Sequence, residues 1–302
     1  MYCHFEESSI TPTQTVRHVI QVMNALSKVL KSTLGRSAVA LFALAFCLLS
    51  ISVPASIISQ SPILTTSPRI GLDSSVVSSS NWAGYVAASG TTPTKTVTAV
   101  YGSWILQGVL PSTGAKYSSQ WIGIGGFFKG DSSLIQTGSQ SSTSGGKTIY
   151  GVWWEILPAA ETPISEPAAP NDVIVASVVC ISSCTSSPQA WTITLQDVTQ
   201  GWTFTKTVTY ASSLKSAEWI EERPAQCIVL VCKLTALANF GTASYGQDFT
   251  SITGTGQATI RGVTGSIGSF HHSEIVMKSG TKVIAQPSSL TTDGTSFTVT
   301  WA

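Results

Sequence analysis

The sequence predicts an all-β protein, on three observations. Short runs alternate apolar and polar residues with a period of two. Gly, Ser, Asn and Pro break those runs at short intervals. From Ser79 onward no apolar stripe of helical period is present. The alternation is plainest in three places. Trp191, Ile193 and Leu195 alternate with Thr192, Thr194 and Gln196. Trp202, Phe204 and Val208 alternate with Thr203, Thr205, Thr207 and Thr209. Phe297, Val299 and Trp301 alternate with Thr298 and Thr300. Threonine on the second face suits a strand without using a charge. Many such runs after Ser79 predict one sandwich or barrel domain.

Charge is scarce. The 302 residues hold 16 Lys+Arg and 15 Asp+Glu, 10% charged with a net charge of +1, against about 25% in an ordinary soluble domain. That excludes disorder driven by charge and the basic footprint of a nucleic-acid binder. A fold held by ladder hydrogen bonds and threonine-rich faces depends little on carboxylates staying ionised. It therefore fits work in acid.

The N-terminus reads as an address. Residues 38–53 are AVALFALAFCLLSISV, preceded by Lys28, Lys31 and Arg36 and followed by Val53-Pro54-Ala55. A positive stretch, an apolar core and small residues at the end predict a signal peptide, with an uncleaved anchor as the alternative. Met1 or Met23 would be the start, the second giving a more ordinary leader. The predicted organisation is a leader at 1–55, a pro-segment or linker at 56–78 and a β domain at 79–302. The exported product is expected outside the cell, free of the membrane, and monomeric.

Cys180, Cys184, Cys227 and Cys232 remain after export, as two close pairs, CISSC and CIVLVC. In an oxidising compartment each pair is expected to close its own small loop. The sequence leaves a crossed pairing open. The spacing does not suit a four-thiolate zinc site, and no metal or cofactor is predicted.

The remaining chemistry is sparse. His271 and His272 are adjacent, so on a strand they point to opposite faces and do not serve one site. No HExxH, no G-x-S-x-G and no phosphate-binding loop occurs. Carboxylates are informative because residues 79–302 hold only twelve. Two lie in apolar, aromatic contexts. Glu155 follows Val152-Trp153-Trp154, and Glu218 stands in Ser216-Ala217-Glu218-Trp219-Ile220. A carboxylate beside Trp is expected to be desolvated, which raises its pKa toward acid–base use. The alternative is a solvent-facing position on an alternating strand.

Five segments, in order, resemble the glutamic peptidases, the eqolisin family. They are Ser80-Asn81-Trp82-Ala83-Gly84, Gln120-Trp121-Ile122-Gly123-Ile124-Gly125-Gly126, Leu134-Ile135-Gln136-Thr137-Gly138, Trp153-Trp154-Glu155 with Pro158, and Ala217-Glu218-Trp219-Ile220-Glu221-Glu222. The resemblance runs from about Ser80 to the C-terminus. It implies a sandwich of two large antiparallel sheets, concanavalin- or jelly-roll-like, whose concave face binds an extended polypeptide substrate. It also implies a catalytic Gln–Glu dyad, carried over here as Gln120 and Glu218. The Glu would act as base on a water and then as acid to the leaving amine, and the Gln amide would stabilise the oxyanion. Trp104 would line the cleft, Trp154 and Trp219 would wall it, and Glu155 would sit near the dyad. One departure stands out: where the family commonly has Asp, this chain has Gly125. Asp131 follows after a short insertion and is expected, with Trp104, Trp154, Glu155 and Trp219, on the substrate-binding side of the site.

Two functions of different class are consistent with these residues. One is a secreted acid endopeptidase. The other is a non-catalytic secreted sandwich, binding carbohydrate or peptide through exposed Trp, or an inactive peptidase relative.

Overall fold

The computed structural model describes residues 57–58, 75–228 and 231–302. The predicted leader at 1–55 lies outside them. The strands in chain order are β1 (Ile57–Ile58), β2 (Ser75–Ser79), β3 (Trp82–Ala88), β4 (Val97–Ile105), β5 (Lys116–Ile124), β6 (Ile135–Ser144), β7 (Lys147–Ile156) and β8 (Thr162–Ile164). Then follow β9 (Val173–Ser182), β10 (Gln189–Asp197), β11 (Trp202–Tyr210), β12 (Ser216–Glu222), β13 (Ala225–Ile228) and β14 (Val231–Leu234). The last are β15 (Thr242–Tyr245), β16 (Gln257–Ile260), β17 (Val263–Ser266), β18 (His271–Ser279), β19 (Lys282–Pro287) and β20 (Phe297–Trp301).

The predicted alternation is realised. Along β10 the residues Trp191, Ile193 and Leu195 are buried, and the threonines between them are half-buried. Phe297 and Val299 are buried in β20. Among the described residues the differences from the sequence are one α-helical turn, Gln247–Thr250, entered from Gly246 at φ 96° and closed by Ser251 in the left-handed region, and a 3-10 turn, Ile267–Ser269.

The strands form a sandwich. One sheet runs β2–β18–β3–β12–β5–β6–β7–β8, and the other runs β19–β20–β15–β4–β9–β10–β11, with β16 and β17 added beside β4. The β18–β19 pairing joins them. The main core lies between the sheets and includes Tyr85, Trp104, Ile122, Trp191, Trp219, Tyr245 and Phe297. A second apolar cluster lies on the outer face of the first sheet: Val77, Trp82, Val86, Trp121, Phe127, Leu134, Trp153, Ile220 and Ile275. So β3 and β12 are covered on both sides, and all seven residues of each are buried. Two pieces of the predicted pro-segment or linker form strands, one in a separate three-stranded sheet β1–β13–β14 and one in the first sheet. β1 pairs with β13, and β2 pairs in parallel with β18 and sends Val77 into the second cluster.

Cys180 and Cys184 form a disulfide. Cys232 is disulfide-bonded, and the β13–β14 register sets Cys227 opposite it. Among the described residues, no helix is long and apolar enough to cross a membrane.

Candidate active site

Directly opposed residues in a ladder share a face of the sheet. The registers of β12, β5, β6 and β7 therefore align one row: Glu218 opposite Gly123, Gly123 opposite Gln136, and Gln136 opposite Glu155. Glu218 and Gln136 stand two strand spacings apart, roughly 10 Å between backbones. Only Gly123 lies between them, and it presents no side chain. A Cβ there would lie 3.0 Å from the Gln136 Cβ. The Leu134 side chain also approaches this point, its Cδ1 3.1 Å from where that Cβ would lie, so two long side chains face each other across a position that carries no side chain of its own.

Glu218, Gln136 and Glu155 are all fully buried. The Glu155 carboxylate accepts a hydrogen bond from Gln136 Nε2, which fixes the amide's orientation. One further N–H and the partnerless Oε1 of Gln136 remain for other use. Neither Glu218 oxygen has a hydrogen-bond partner. Desolvation pushes its carboxyl well above the ordinary glutamate value of 4.5, and the nearby negative charge of Asp131 pushes the same way. The nearby Ser216 hydroxyl and Gly125 N–H oppose the shift without making a hydrogen bond of ordinary geometry to the carboxylate, the Gly125 N–H being donated to Ser216 O at 3.1 Å. The upward direction of the shift agrees with the sequence expectation, but its source differs. Trp219 points into the core and donates its indole N–H to Tyr101 O at 2.9 Å. The row beside Glu218 on its own face holds Ile220 opposite Trp121, then Gly138, then Trp153.

The structure separates the two residues of the expected dyad. Gln120 lies opposite Glu221, not Glu218, and so faces the core between the sheets. Its Oε1 accepts the Gln107 N–H at 3.0 Å. Gln107 Nε2 donates to Glu221 Oε1 at 2.9 Å and to Ser118 Oγ at 3.0 Å, and the Tyr245 hydroxyl contacts Glu221 Oε2 at 3.2 Å. Burial pushes Glu221 up as well, but these donors surround it.

Trp104 and Trp154 are on the core side too. Trp104 is buried and donates to Ser139 Oγ at 2.9 Å. Trp154 packs at the margin of the main core, with Lys206 Nζ 5.8 Å from its ring centre. The physical reason is common to Trp154 and Trp219. Each is the immediate sequence neighbour of Glu155 or Glu218, and strand neighbours point to opposite faces. The tryptophans on the Glu218 face are Trp82, Trp121 and Trp153. Six of the nine tryptophans are fully buried, which leaves few rings for stacking on a sugar.

Gln136 is the residue that sequence reasoning passed over, although it stands in the segment Leu134-Ile135-Gln136-Thr137-Gly138. The signal that would find it is parity: only a side chain on the Glu218 face can meet Glu218.

Asp131 lies off the row, in the loop before β6 and against the segment that leads into β12. Its carboxylate accepts the Ser133 N–H at 3.0 Å, the Ser133 hydroxyl at 2.8 Å and the Ser213 hydroxyl. Gly125 has φ +97°, and a Cβ there would fall 2.5 Å from Ser133 O. Glycine is thus required by the close approach of that loop. On the second sheet a different acid pair occurs. Asp197 accepts the Gln200 N–H at 2.9 Å, and Gln200 Nε2 donates to both oxygens of Asp172 at 3.1 Å. Burial and the Asp172 carboxyl push Asp197 up to about 6. Among the described residues, no group of three or more His, Cys, Asp or Glu is placed to hold a metal ion.

Comparison with known proteins adds the following. The model of the peptidase A4 family matches residues 80–301. Scytalido-glutamic peptidase, crystallised with a transition state analog inhibitor, is similar at 18% identity with a TM-score of 0.60, over 74% of this chain and 98% of that one. SCP-B, a member of the eqolisin family of peptidases in a complex with the tripeptide Ala-Ile-His, is similar at 19% identity with a TM-score of 0.56, over 74% of this chain and 98% of that one. Aspergilloglutamic peptidase from Aspergillus niger is similar at 24% identity with a TM-score of 0.49, over 62% of this chain and 99% of that one. Comparison with curated proteins found none that matches.

Proposed function

The chain belongs to the peptidase A4 family and is a peptide hydrolase, and we propose that it is a secreted endopeptidase whose reacting groups are Glu218 and Gln136. The observation that carries this reading is the row Glu155–Gln136–Gly123–Glu218, with both Glu218 oxygens lacking a partner. A buried carboxylate without donors is costly in a folded protein unless a ligand or water completes it.

In the proposed reaction a water lies over Gly123. Glu218 in its ionised form takes a proton from that water as the oxygen attacks the scissile carbonyl carbon. The second N–H of Gln136 donates to the oxyanion that forms, while Glu155 holds the amide by the first. The protonated Glu218 then gives its proton to the leaving amine, the C–N bond breaks, and the carboxylate is restored. The atoms balance with one water consumed.

The sign of the pH dependence follows. A base must be ionised, so kcat/KM rises with pH through the Glu218 pKa. That pKa lies well above 4.5, so the acid limb falls above the ordinary carboxylate range. The acid optimum expected from composition is thereby moved toward weakly acidic pH.

Secretion is part of the proposal. It is supported by the Cys180–Cys184 disulfide, which persists in oxidising compartments, and by the leader-like run at 38–53. N-terminal sequencing of the exported protein checks it. An N-terminus within the first 37 residues would count against export by cleavage of that leader.

The test of the mechanism is to express residues 56–302, supply denatured protein as substrate, and compare four proteins across pH. Glu218→Gln should lose activity by about 10²–10⁴-fold, and Gln136→Ala by about 10²–10³-fold. Gln120→Ala should stay within a few-fold of wild type. Full activity in Glu218→Gln would overturn the reading. Loss in Gln120→Ala with retention in Gln136→Ala would restore the other glutamine.

A further inference from the structure

The loop that enters β6, residues 131–134, is stitched to the segment joining β11 to β12, residues 210–213. Ser213 N–H donates to Ser133 Oγ at 2.8 Å, and the Ser213 hydroxyl donates to Asp131 Oδ2. Ser133 donates to Asp131 Oδ1 through both its N–H, at 3.0 Å, and its hydroxyl, at 2.8 Å. Leu134 N–H donates to the Tyr210 hydroxyl at 2.8 Å. The space for this clasp comes from Gly125, where a Cβ would meet Ser133 O at 2.5 Å, Ser133 Oγ at 3.0 Å and Ser213 Oγ at 3.2 Å. Gln136 follows the first segment by two residues, and Glu218 follows the second by five. The clasp therefore ties together the entries of the two strands that carry the proposed reacting groups.

We propose that Asp131 is a positioning residue of this site, fixing the β6 and β12 entries through Ser133 and Ser213 and turning a fixed negative charge toward Glu218. The inference rests on the reading of Glu218 as the base. A like charge disfavours a second anion, so Asp131 holds Glu218 protonated to higher pH than burial alone would. The direction of the Glu218 shift supports this, because Asp131 is among its causes. The Ser216 hydroxyl and the Gly125 N–H act against that charge. Gln136 and Glu155 lie on its row toward β6 and β7, and Val86 and Ser273 lie on it toward β3 and β18. Tyr210 reaches in from β11 with its hydroxyl pushed up. Glu222 is two rows away, bound by the Trp121 indole N–H at 2.7 Å. Of the bases, His271 lies one row off on β18, Lys215 stands half-buried just before β12, and Lys129 is exposed on the loop.

The experiment measures kcat/KM against pH for wild type, Asp131→Asn and Ser213→Ala, with Glu218→Gln beside them. Asp131→Asn removes the charge and keeps an acceptor. Its acid limb should move to lower pH by about half a unit or more, so that below the limb it is about threefold more active, relative to its plateau, than wild type. Ser213→Ala loosens the clasp and keeps the charge, so kcat should fall without a limb shift of that size. A measurement on wild type alone gives the same answer if Asp131→Asn does not fold. Raising salt from low to about 0.5 M screens the half-exposed Asp131 and should move the wild-type limb to lower pH. A limb that stays in place, or moves to higher pH, in Asp131→Asn or with salt overturns the inference. If Glu218→Gln is inactive in that case, the reading of Glu218 stands and only Asp131's role falls. If Glu218→Gln is active, the reading itself fails.

Discussion

Glu218 and Glu221 stand three residues apart on β12, both fully buried and both pushed up by desolvation. They differ in their company. Glu221 faces the core between the sheets, where Gln107 and Tyr245 contact its oxygens. Glu218 faces the outer cluster, and neither of its oxygens has a donor. Burial and a raised pKa therefore do not tell the proposed reactive carboxylate from a structural one on this strand. What separates them is whether the protein has already completed the hydrogen bonds. Gln120 and Gln136 differ in another way. The first has its carbonyl oxygen bound to a backbone N–H and its amide nitrogen unpartnered, and the second has its amide nitrogen bound to Glu155 and its oxygen unpartnered, so the two differ in which end is left open and in which face it points to.

The largest expected effect that tests this contrast is kinetic. Glu218→Gln should lower kcat by about 10²–10⁴-fold while the melting temperature holds or rises, since a donorless buried acid contributes no native bond. Glu221→Ala should do the reverse. Activity per folded molecule should persist, and stability should drop by about 2–4 kcal/mol as Gln107 and Tyr245 lose their acceptor. Parallel assays and denaturant melts of the two variants check this. Equal activity losses would erase the distinction. Next in size, Gly123→Ala should cut kcat by about tenfold or more by filling the gap over which Gln136 and Glu218 converge, at a cost of about 1–3 kcal/mol from the 3.0 Å approach to Gln136. Urea melts and steady-state assays separate the two parts. Gln120→Ala should cost about 1–3 kcal/mol by leaving the Gln107 N–H unpaired, with little change in kcat.

The smallest effect concerns protons held for stability. Asp197 has its folded pKa raised to about 6 from an ordinary 3.8. The folded state therefore keeps that proton when the unfolded chain has lost it. The stabilisation is fully present below pH 3.8 and is lost as pH rises toward 6. Melting temperature should accordingly be higher at pH 4 than at pH 7, and Asp197→Asn should flatten that slope. A wild-type melting temperature that climbs from pH 4 to pH 7 would contradict the assignment.

Much of the fold was legible because alternation states which residues share a face within one strand. Trp191, Ile193 and Leu195 needed nothing more. The site was legible in part. Glu218 and Glu155 stood out through scarcity and context. Gln120 did not meet Glu218 because parity within a strand says nothing about register between strands. Only the β12–β5 and β5–β6 ladders decide that Gly123, and not Gln120, is the neighbour of Glu218. The tryptophans carry a sharper lesson. The rule that keeps His271 and His272 from sharing a site also keeps Trp154 from sharing a face with Glu155, and Trp219 with Glu218. The loop insertion that ends in Asp131 was visible, but its seat at Gly125 depends on a backbone approach that no residue pattern encodes.

The place of β12 between β3 and β5 has a temporal meaning. β5, β6 and β7 are successive antiparallel neighbours and can pair soon after synthesis. β12 pairs with strands made roughly a hundred residues earlier, and such long-range insertions are the slow events of folding. Gln136 is thus ready while Glu218 is still unbound to the sheet. If Gln136 and Glu218 are the reacting groups as proposed, a chain that ends before β12 holds only one of them.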